Sequence, residues 1–251
     1  MKIGIAGYGQ MGKVVHKAAL AGGHEVPLII DPAGGTDGLI LNALTPGMPA
    51  VDVIIDFTVP QAVMSNIRRY GDLRIPAVIG TTGWYDEMDQ VSSIIERTGI
   101  GLIWSGNFSL GVNLFFHIVR SAGIIMNRFS DYDAAVHEYH HRHKADSPSG
   151  TAAMIGDILL DSLERKKSIL AGSPKEAVTA EKINITSTRC GSITGTHQVI
   201  FDSEVDTITL EHSARNREGF AYGAVKAAEW IRDRSGLYSI DDLMQSIIGG
   251  K

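Results

Sequence analysis

Apolar residues in the first part of the chain come in short blocks separated by longer stretches of mixed character. Lys2–Ala6 is short and β-branched, Val26–Ile30 is strand-like and closes on Asp31, and Val51–Asp56 (VDVIID) is almost continuously apolar. An unbroken run of that length suits a strand buried on both faces. Pro76–Gly80 and Ile100–Trp104 repeat the pattern, and Gln10–Ala21, Gln61–Tyr70 and Tyr85–Thr98 between them carry helix-forming residues. Strands alternating with helices predict right-handed βαβ units and a doubly wound parallel sheet. Pro32–Ala50, rich in glycine and proline, is expected to be an irregular connection.

The rhythm changes after Asn107. A long helical stretch over Gly111–Asn127 leads to a strand around Tyr132–Glu138, and a second helix is expected over Gly150–Lys166. Three strand candidates then follow with no helix between them: Lys182–Thr188, Thr196–Asp202 and Thr207–Glu211. Helix returns from Glu218 to Ser235. This is α+β grammar with a mixed or antiparallel sheet. The fold class is therefore α/β, with an N-terminal Rossmann-type parallel sheet and a C-terminal α+β domain. The first domain is expected to span 1–107 and to be completed by C-terminal helices from 217–251; the second takes 108–216.

Composition narrows the function. The 251 residues are 44% hydrophobic and 20% charged, enough for real cores, and the net charge of −5 argues against a nucleic-acid binder held by phosphate contacts. The apolar segment GVNLFFHIVRSAGIIM is interrupted by His117 and Arg120, so it reads as a core helix and not a membrane span. The start MKIGIAGYG lacks the apolar core of a signal peptide, and the single Cys190 allows no intramolecular disulfide; both suit a cytoplasmic location.

GYGQMG, Gly7 to Gly12, is a G-x-G-x-x-G that follows the first strand and opens the first helix, the context a dinucleotide-binding turn needs. Gly7 allows the tight turn, Gly9 lets backbone approach a pyrophosphate, and Gly12 lets helix and strand pack closely. The helix N-terminus then faces the phosphates. Asp31 can accept both ribose hydroxyls of NAD. Pro32 follows it, and Tyr8 and Gln10 are uncharged, so nothing local in sequence offers a cation to a 2′-phosphate. NADH is expected to be favoured over NADPH. Three further strand ends are small and polar: Asp56-Phe57-Thr58, Gly80-Thr81-Thr82-Gly83 and Gly106-Asn107-Phe108-Ser109. Each alone is an ordinary turn. Together, beyond the carboxyl ends of parallel strands, they read as a cofactor channel.

The stretch EYHHRHKADSPSGTA, Glu138 to Ala152, gathers His140, His141 and His143 with Arg142 and Lys144. A metal site built from His137, His140, His141, His143 and Glu138 is opposed by the two cations among the ligands and by a spacing that fits no helical motif. An anion pocket fits better. Lys144 supplies a compact charge, and Ser147-Pro148-Ser149-Gly150-Thr151 reads as a capped helix start with proline in its first turn. A histidine beside it can act as general acid near neutral pH. On physical grounds a basic surface loop competes evenly with this pocket.

That stretch closely resembles the signature of the 4-hydroxy-tetrahydrodipicolinate (dihydrodipicolinate) reductases, E-x-H-H-x-x-K-x-D-[AS]-P-S-G-T-A. GIAGYGQMGK, IDFTVPQ, VIGTTGW, NFSLGVN, RCGSITGTHQVIF and HSARNREGFAYGAVKAAEW resemble further blocks of the same family, so the resemblance covers nearly the whole chain. The chain differs from most members in carrying Tyr139 where a small residue is usual, Ser147 where alanine is common, and a short Pro32–Ala50 connection. The resemblance implies nicotinamide-dependent reduction of a cyclic dicarboxylate on the route to diaminopimelate and lysine. By position, His140 resembles the family's general acid, and Lys144 the residue that engages substrate and assists proton transfer. His141, Gly150 and Thr151 resemble carboxylate binders. Gly7, Gln10, Met11 and Gly12 fall in the cofactor loop. Gly80, Thr81, Thr82, Asn107 and Phe108 fall among the nicotinamide and ribose contacts, with Phe57 a further cofactor-binding candidate from its strand end, and Arg217 resembles an arginine near the cofactor. The resemblance further implies a homotetramer assembled through the second domain's sheet, and domains that close over the ligands. Alternatives are another two-domain NAD(P) oxidoreductase, such as an aspartate or sugar dehydrogenase, or a NAD-binding redox sensor without turnover.

Overall fold

The computed structural model describes residues 1–33, 40–41 and 47–249. The chain forms two compact units. The first comprises Met1–Leu110 with Arg217–Lys251 and the second Gly111–Asn216.

In the first unit, β1 (Lys2–Ala6), α1 (Gln10–Ala21), β2 (Glu25–Ile30), β3 (Ile40–Leu41), β4 (Val53–Asp56), α2 (Pro60–Leu73), β5 (Ala77–Ile79), α3 (Met88–Thr98) and β6 (Gly101–Trp104) follow in order. Near the end of the chain come α6 (Glu218–Ile231), β12 (Gly236–Ser239) and α7 (Ile240–Ile248). Seven parallel strands lie in the order β12-β6-β5-β4-β1-β2-β3. Alternation of side chains splits the core in two. Ile3, Ile5, Val53, Ile55, Val78 and Ile103 pack under α6 and α7 residues such as Ala224 and Leu243, while Ile54, Ala77, Ile79 and Leu102 pack with Val63, Ile67 and Val91 from α2 and α3. Both faces are covered, which explains the continuous apolar strands.

Register sets up everything that follows. Ala6 pairs with Asp56, Asp56 with Ile79 and Ile79 with Trp104. The four loops beyond them therefore leave the sheet in one row. Main-chain bonds Phe57 N–H to Ala6 O (2.9 Å), Gly80 N–H to Asp56 O (2.8 Å) and Ser105 N–H to Ile79 O (3.1 Å) extend the pairing one residue into each loop.

In the second unit, α4 (Leu110–Met126, starting at the last residue of the first unit), β7 (Asp133–His140), α5 (Gly150–Ser162), β8 (Ser168–Ala171), β9 (Lys182–Arg189), β10 (Thr196–Asp202) and β11 (Thr207–Ser213) build a five-stranded sheet of order β11-β10-β7-β9-β8. It is mixed: β10 runs antiparallel to β7 and β11, while β7, β9 and β8 run parallel. Val136, Ile183, Ile185, Val199 and Phe201 meet Phe115, Val119, Ile155 and Leu159 of the helices.

Four details depart from the sequence reading. The strand expected over Tyr132–Glu138 runs on to His140, because its buried face carries Glu138 and His140, polar residues that a hydrophobic pattern does not count as core. The helix expected to reach Lys166 stops at Ser162, and the buried Lys166 ammonium instead donates to Ala180 O (2.8 Å) and Lys182 O (2.9 Å). The stretch to Ser235 stops being helical at Ile231, and the four-residue β12 then joins the sheet. Within the Pro32–Ala50 connection, Ile40–Leu41 pairs with Ile29–Ile30; residues 34–39 and 42–46 lie outside the described residues.

Candidate active site

The first unit builds the glycine turn between β1 and α1 to tight steric limits. Gly7 has φ +83°, and a Cβ there would fall 2.2 Å from Phe57 O; one on Gly12 would fall 2.0 Å from Gly7 O. Both positions are closed to any side chain. Around Gly9 a Cβ would meet nothing within 4 Å, so the loop offers open space where backbone can approach a ligand. Gln10 and Met11 begin α1, and Arg217 Nη1 donates to Gln10 Oε1 at 2.8 Å, which ties the start of α6 to this loop.

Asp31 lies just past β2. Its Oδ2 accepts from Tyr8 N–H (2.7 Å) and its Oδ1 from Ala33 N–H (2.9 Å), which fixes the carboxylate against the glycine loop. A cavity of about 700 Å³ opens beside it, lined by Gly7, Gly9, Asp31, Pro32, Phe57 and Arg69 among others. Arg69 corrects the expectation that no cation is near: α2 brings it to the cavity from 38 positions further along the chain. A smaller hollow of about 250 Å³ is lined by Met11, Phe57, Thr58, Gly80, Thr81 and Thr82. The Phe57 ring lies where a Gly80 Cβ would stand, 2.2 Å away, so Gly80 exists to let that ring in.

The strand-end loops are held by the Asp56 carboxylate, which the sequence placed in a cofactor channel and which instead serves a buried network. Asp56 is fully buried. It accepts from Thr58 N–H (3.0 Å), Thr58 Oγ1 (2.7 Å), Asn66 Nδ2 (2.9 Å), Tyr70 OH (2.8 Å) and Thr81 Oγ1 (3.2 Å). Burial, reinforced by the Asp56 charge and hydrogen bond, pushes the Tyr70 hydroxyl well above its ordinary pKa, so it stays a donor. The Thr81 hydroxyl is spent on this network and also accepts from Thr58 N–H at 2.8 Å. Asp56→Ala would strand several buried donors at about 1–3 kcal/mol each. A loss of at least ~3 kcal/mol is expected, read as a lower urea midpoint; an unchanged midpoint would show that water replaces the carboxylate. Asn107 Oδ1 accepts from Ser109 N–H at 2.9 Å, shaping the fourth loop. The Phe108 side chain is buried in the core, so a ligand there meets its backbone and not its ring.

The second unit gathers the histidine stretch around Glu138. The pleat of β7 turns His137 and Tyr139 to one side and Glu138 and His140 to the other. His137 is engaged by Thr186 Oγ1 (2.5 Å) and Thr188 Oγ1 (3.1 Å) of β9. Glu138 has no exposed surface; its Oε1 accepts from Ser149 N–H (3.0 Å), Ser187 Oγ (2.7 Å) and Arg189 Nη2 (2.9 Å). Its Oε2 lies 3.3 Å from His140 Nδ1 and 3.6 Å from His197 Nε2. Burial works to raise the Glu138 pKa, but the neighbouring His197 and hydrogen bonds from Ser149, Ser187 and Arg189 outweigh it and hold the carboxyl well below its usual range. His140 is lowered to about 4, mainly by burial; the Glu138 charge opposes that shift, and His197, Lys144 and Arg189 add to it.

Among the described residues, Glu138, His140 and His197 are the group whose ligand atoms come within 4.8 Å of one another. A dication there would face the Arg189 guanidinium already bound to Glu138. Lys144 Nζ sits 2.8 Å from Asp146, and Arg189 fastens the same loop by donating to Lys144 O (3.3 Å) and Asp146 O (2.6 Å). Helix α5 starts at Gly150 under a Ser149 cap that accepts from Ala152 N–H at 3.2 Å, so Pro148 precedes the cap instead of lying in the first turn. The first N–H groups of α5, at Gly150 and Thr151, have no partner within the helix, and a Cβ on Gly150 would meet nothing within 4 Å. His141 and His143 follow the strand, the first half-buried and the second exposed. Sequence reading gave no role to Arg189 and His197. The only signal was their place in RCGSITGTHQVIF, on strands that pair with β7, Arg189 opposite His140 and His197 opposite Glu138.

Comparison with known proteins agrees over the whole chain. The family model described as "Dihydrodipicolinate reductase, N-terminus" matches residues 1–108, and "Dihydrodipicolinate reductase, C-terminus" matches 111–244. The chain is 34% identical to the 4-hydroxy-tetrahydrodipicolinate reductase of Christiangramia forsetii, covering 98% of this chain and 99% of that protein. It is 36% identical to the enzyme of that name from Archaeoglobus fulgidus, covering 98% and 100%. Among solved structures, it is similar to dipicolinate-bound dihydrodipicolinate reductase from Paenisporosarcina sp. TG-14, with TM-score 0.74, 25% identity and coverage of 97% and 99%.

Proposed function

The chain belongs to the dihydrodipicolinate reductase family, and from that premise we infer an NAD(P)H-dependent 4-hydroxy-tetrahydrodipicolinate reductase of the diaminopimelate and lysine route, with the following division of labour. The observation that carries it is the convergence of His140, Lys144 and the start of α5 in the second unit, on a frame made by Glu138 and Arg189.

The nicotinamide cofactor, when bound, supplies the hydride. Gly7, Gly9, Gln10, Met11 and Gly12 cradle its phosphates, Asp31 meets the adenosine ribose, and Phe57, Gly80, Thr81, Thr82, Asn107 and Phe108 shape the nicotinamide end. Arg217 steadies the glycine loop through Gln10. In the second unit, Lys144, His141 and the N–H groups at Gly150 and Thr151 bind a substrate carboxylate. The 4-hydroxyl of the substrate leaves as water, which gives the conjugated ring that a hydride can attack, and His140 delivers a proton to the ring carbon next to the one that receives hydride. The dipicolinate in the Paenisporosarcina enzyme is a cyclic dicarboxylate and supports this choice of ligand. On the same reading the enzyme works in the cytoplasm as a homotetramer, with neither nucleic acid nor membrane as partner. No described helix is long and apolar enough to cross a membrane.

The test is direct. Mixed with NADH and the product of the preceding aldolase-type synthase, the protein should consume NADH, read as falling absorbance; oxaloacetate with ammonia should not support turnover. No consumption with the first mixture, or consumption with the second, would replace this reading with a sensor or an amino-acid dehydrogenase.

Cofactor choice follows from two opposed charges in one cavity. Asp31 accepts hydrogen bonds from ribose hydroxyls and repels a 2′-phosphate, while Arg69 attracts one. We expect kcat/KM for NADH to exceed that for NADPH by about tenfold, ~1.4 kcal/mol, and Arg69→Ala to widen the gap at low salt. Equal values for the two cofactors, or a gap that Arg69→Ala leaves unmoved, would count against this balance.

A further inference from the structure

We infer that Glu138 and Gly195 are positioning residues for His140: Glu138 holds its Nδ1 edge, and Gly195 leaves its Nε2 edge open to the substrate. This rests on His140 as proton donor, and the closing experiment separates the two ideas.

Oε1 of Glu138 is already taken by Ser149, Ser187 and Arg189, which leaves Oε2 to face His140 Nδ1 at 3.3 Å and His197 Nε2 at 3.6 Å. Oε2 and His140 Nδ1 face each other, both buried and short of hydrogen-bond geometry; because an ionised carboxylate only accepts, the pair favours the tautomer of His140 that carries hydrogen on Nδ1. A proton taken up afterwards must then sit on Nε2, and Nε2 is the atom that hands it on. His197 stands edge-on to His140, with ring centroids 5.1 Å apart, and its Nε2 also lies 3.3 Å from Ser149 Oγ; the imidazole of His140 is thereby wedged from the side. The charged or titratable groups around His140 are Glu138 from its own strand, Lys144 from the following loop, Arg189 from β9 and His197 from β10.

Gly195 lies on the other side of the ring. Its carbonyl accepts from Ala214 N–H at 2.8 Å, which fixes the backbone there. A Cβ at this position would come 3.0 Å from His140 Nε2 and 3.3 Å from its Cδ2. Gly195 does not adopt a left-handed φ, so backbone conformation does not call for glycine. The need is room at the nitrogen that carries the transferable proton.

The experiment combines tautomer, kinetics and a double-variant cycle. Nitrogen-15 NMR of the wild-type protein should show neutral His140 with hydrogen on Nδ1; a predominant Nε2–H tautomer would overturn the proposal whatever the kinetics. Glu138→Gln should lower kcat by about 10²-fold or more and shift the tautomer. In a His140→Gln background the same change should slow turnover no further. An equal slowing in both backgrounds would mean that Glu138 does not act through His140. Gly195→Ala leaves the Glu138 hydrogen bonds in place and covers cases where Glu138→Gln fails to fold. It should lower kcat by about tenfold or more at an unchanged Tm, and wild-type turnover would refute the role of Gly195. If His140→Gln itself keeps wild-type turnover, the proton-donor reading fails, and the NMR result still decides whether Glu138 sets the tautomer.

Discussion

His140→Gln is expected to lower turnover by about 10²–10⁴-fold, the usual share of a general acid, while leaving NADH affinity unchanged. The histidine belongs to the second unit and the glycine loop to the first. The pH profile sharpens the prediction. In the free protein burial holds His140 down to about 4, so near neutrality only a small fraction carries the proton it must give. The profile of kcat/KM reports the free enzyme. It should therefore fall about tenfold per unit of rising pH between about pH 5 and about pH 8. A bound dianion adds negative charge beside the ring and favours the imidazolium. The profile of kcat, which reports the complex, should accordingly stay level to higher pH than that of kcat/KM. Binding of a dicarboxylate inhibitor should also draw protons from the buffer, measurable as a heat that depends on the buffer's ionisation enthalpy. A His140→Gln enzyme with near wild-type turnover removes this residue from the chemistry. Binding without proton uptake removes the proposed coupling.

Lys144→Ala is expected to act on affinity as well as rate. Its ammonium is paired with Asp146 at 2.8 Å, and that pairing lowers the Asp146 carboxyl below its ordinary range. An incoming carboxylate must compete with a partner that is itself exposed and well solvated. Loss of a hydrogen-bonded charge partner from a partly buried site costs about 2–5 kcal/mol. The exchange with Asp146 places the effect at the lower end, about 2 kcal/mol, or roughly thirtyfold in Kd for a dicarboxylate inhibitor. Calorimetry reads this directly, and an unchanged Kd would place Lys144 outside the anion pocket. Asp146→Asn should tighten the same inhibitor, because it releases the ammonium.

The parallel sheet was legible because its strands are buried on both faces and so read as plain apolar runs between helices. The glycine turn was legible for a similar reason: Gly7 and Gly12 answer to steric demands within a few residues of themselves. Where the deciding partner lies far along the chain, the pattern falls silent. Arg69 reaches the Asp31 cavity from α2, 38 positions further along the chain. His197 and Arg189 meet Glu138 only because β10 and β9 flank β7. The end of β7 was misplaced by two residues because a buried ionised glutamate and a histidine look like loop residues until their hydrogen bonds are seen. β12 has four half-buried residues and no periodicity to announce it.

That last strand has a consequence in time. Gly236–Ser239 pairs with β6, and α6 seals the face formed by Ile3, Ile5, Val53 and Ile55. A ribosome reaches both only after it has made Gly111–Asn216. Until then β6 presents a bare edge of N–H and C=O groups, and one face of the sheet has only α1 to cover it. The second unit owns every strand of its sheet and a core of its own, so it can condense while the first still waits for its last pieces. The nascent chain thus carries an unfinished, adhesive sheet throughout the synthesis of its neighbour, and the segment translated first is among the last to become native.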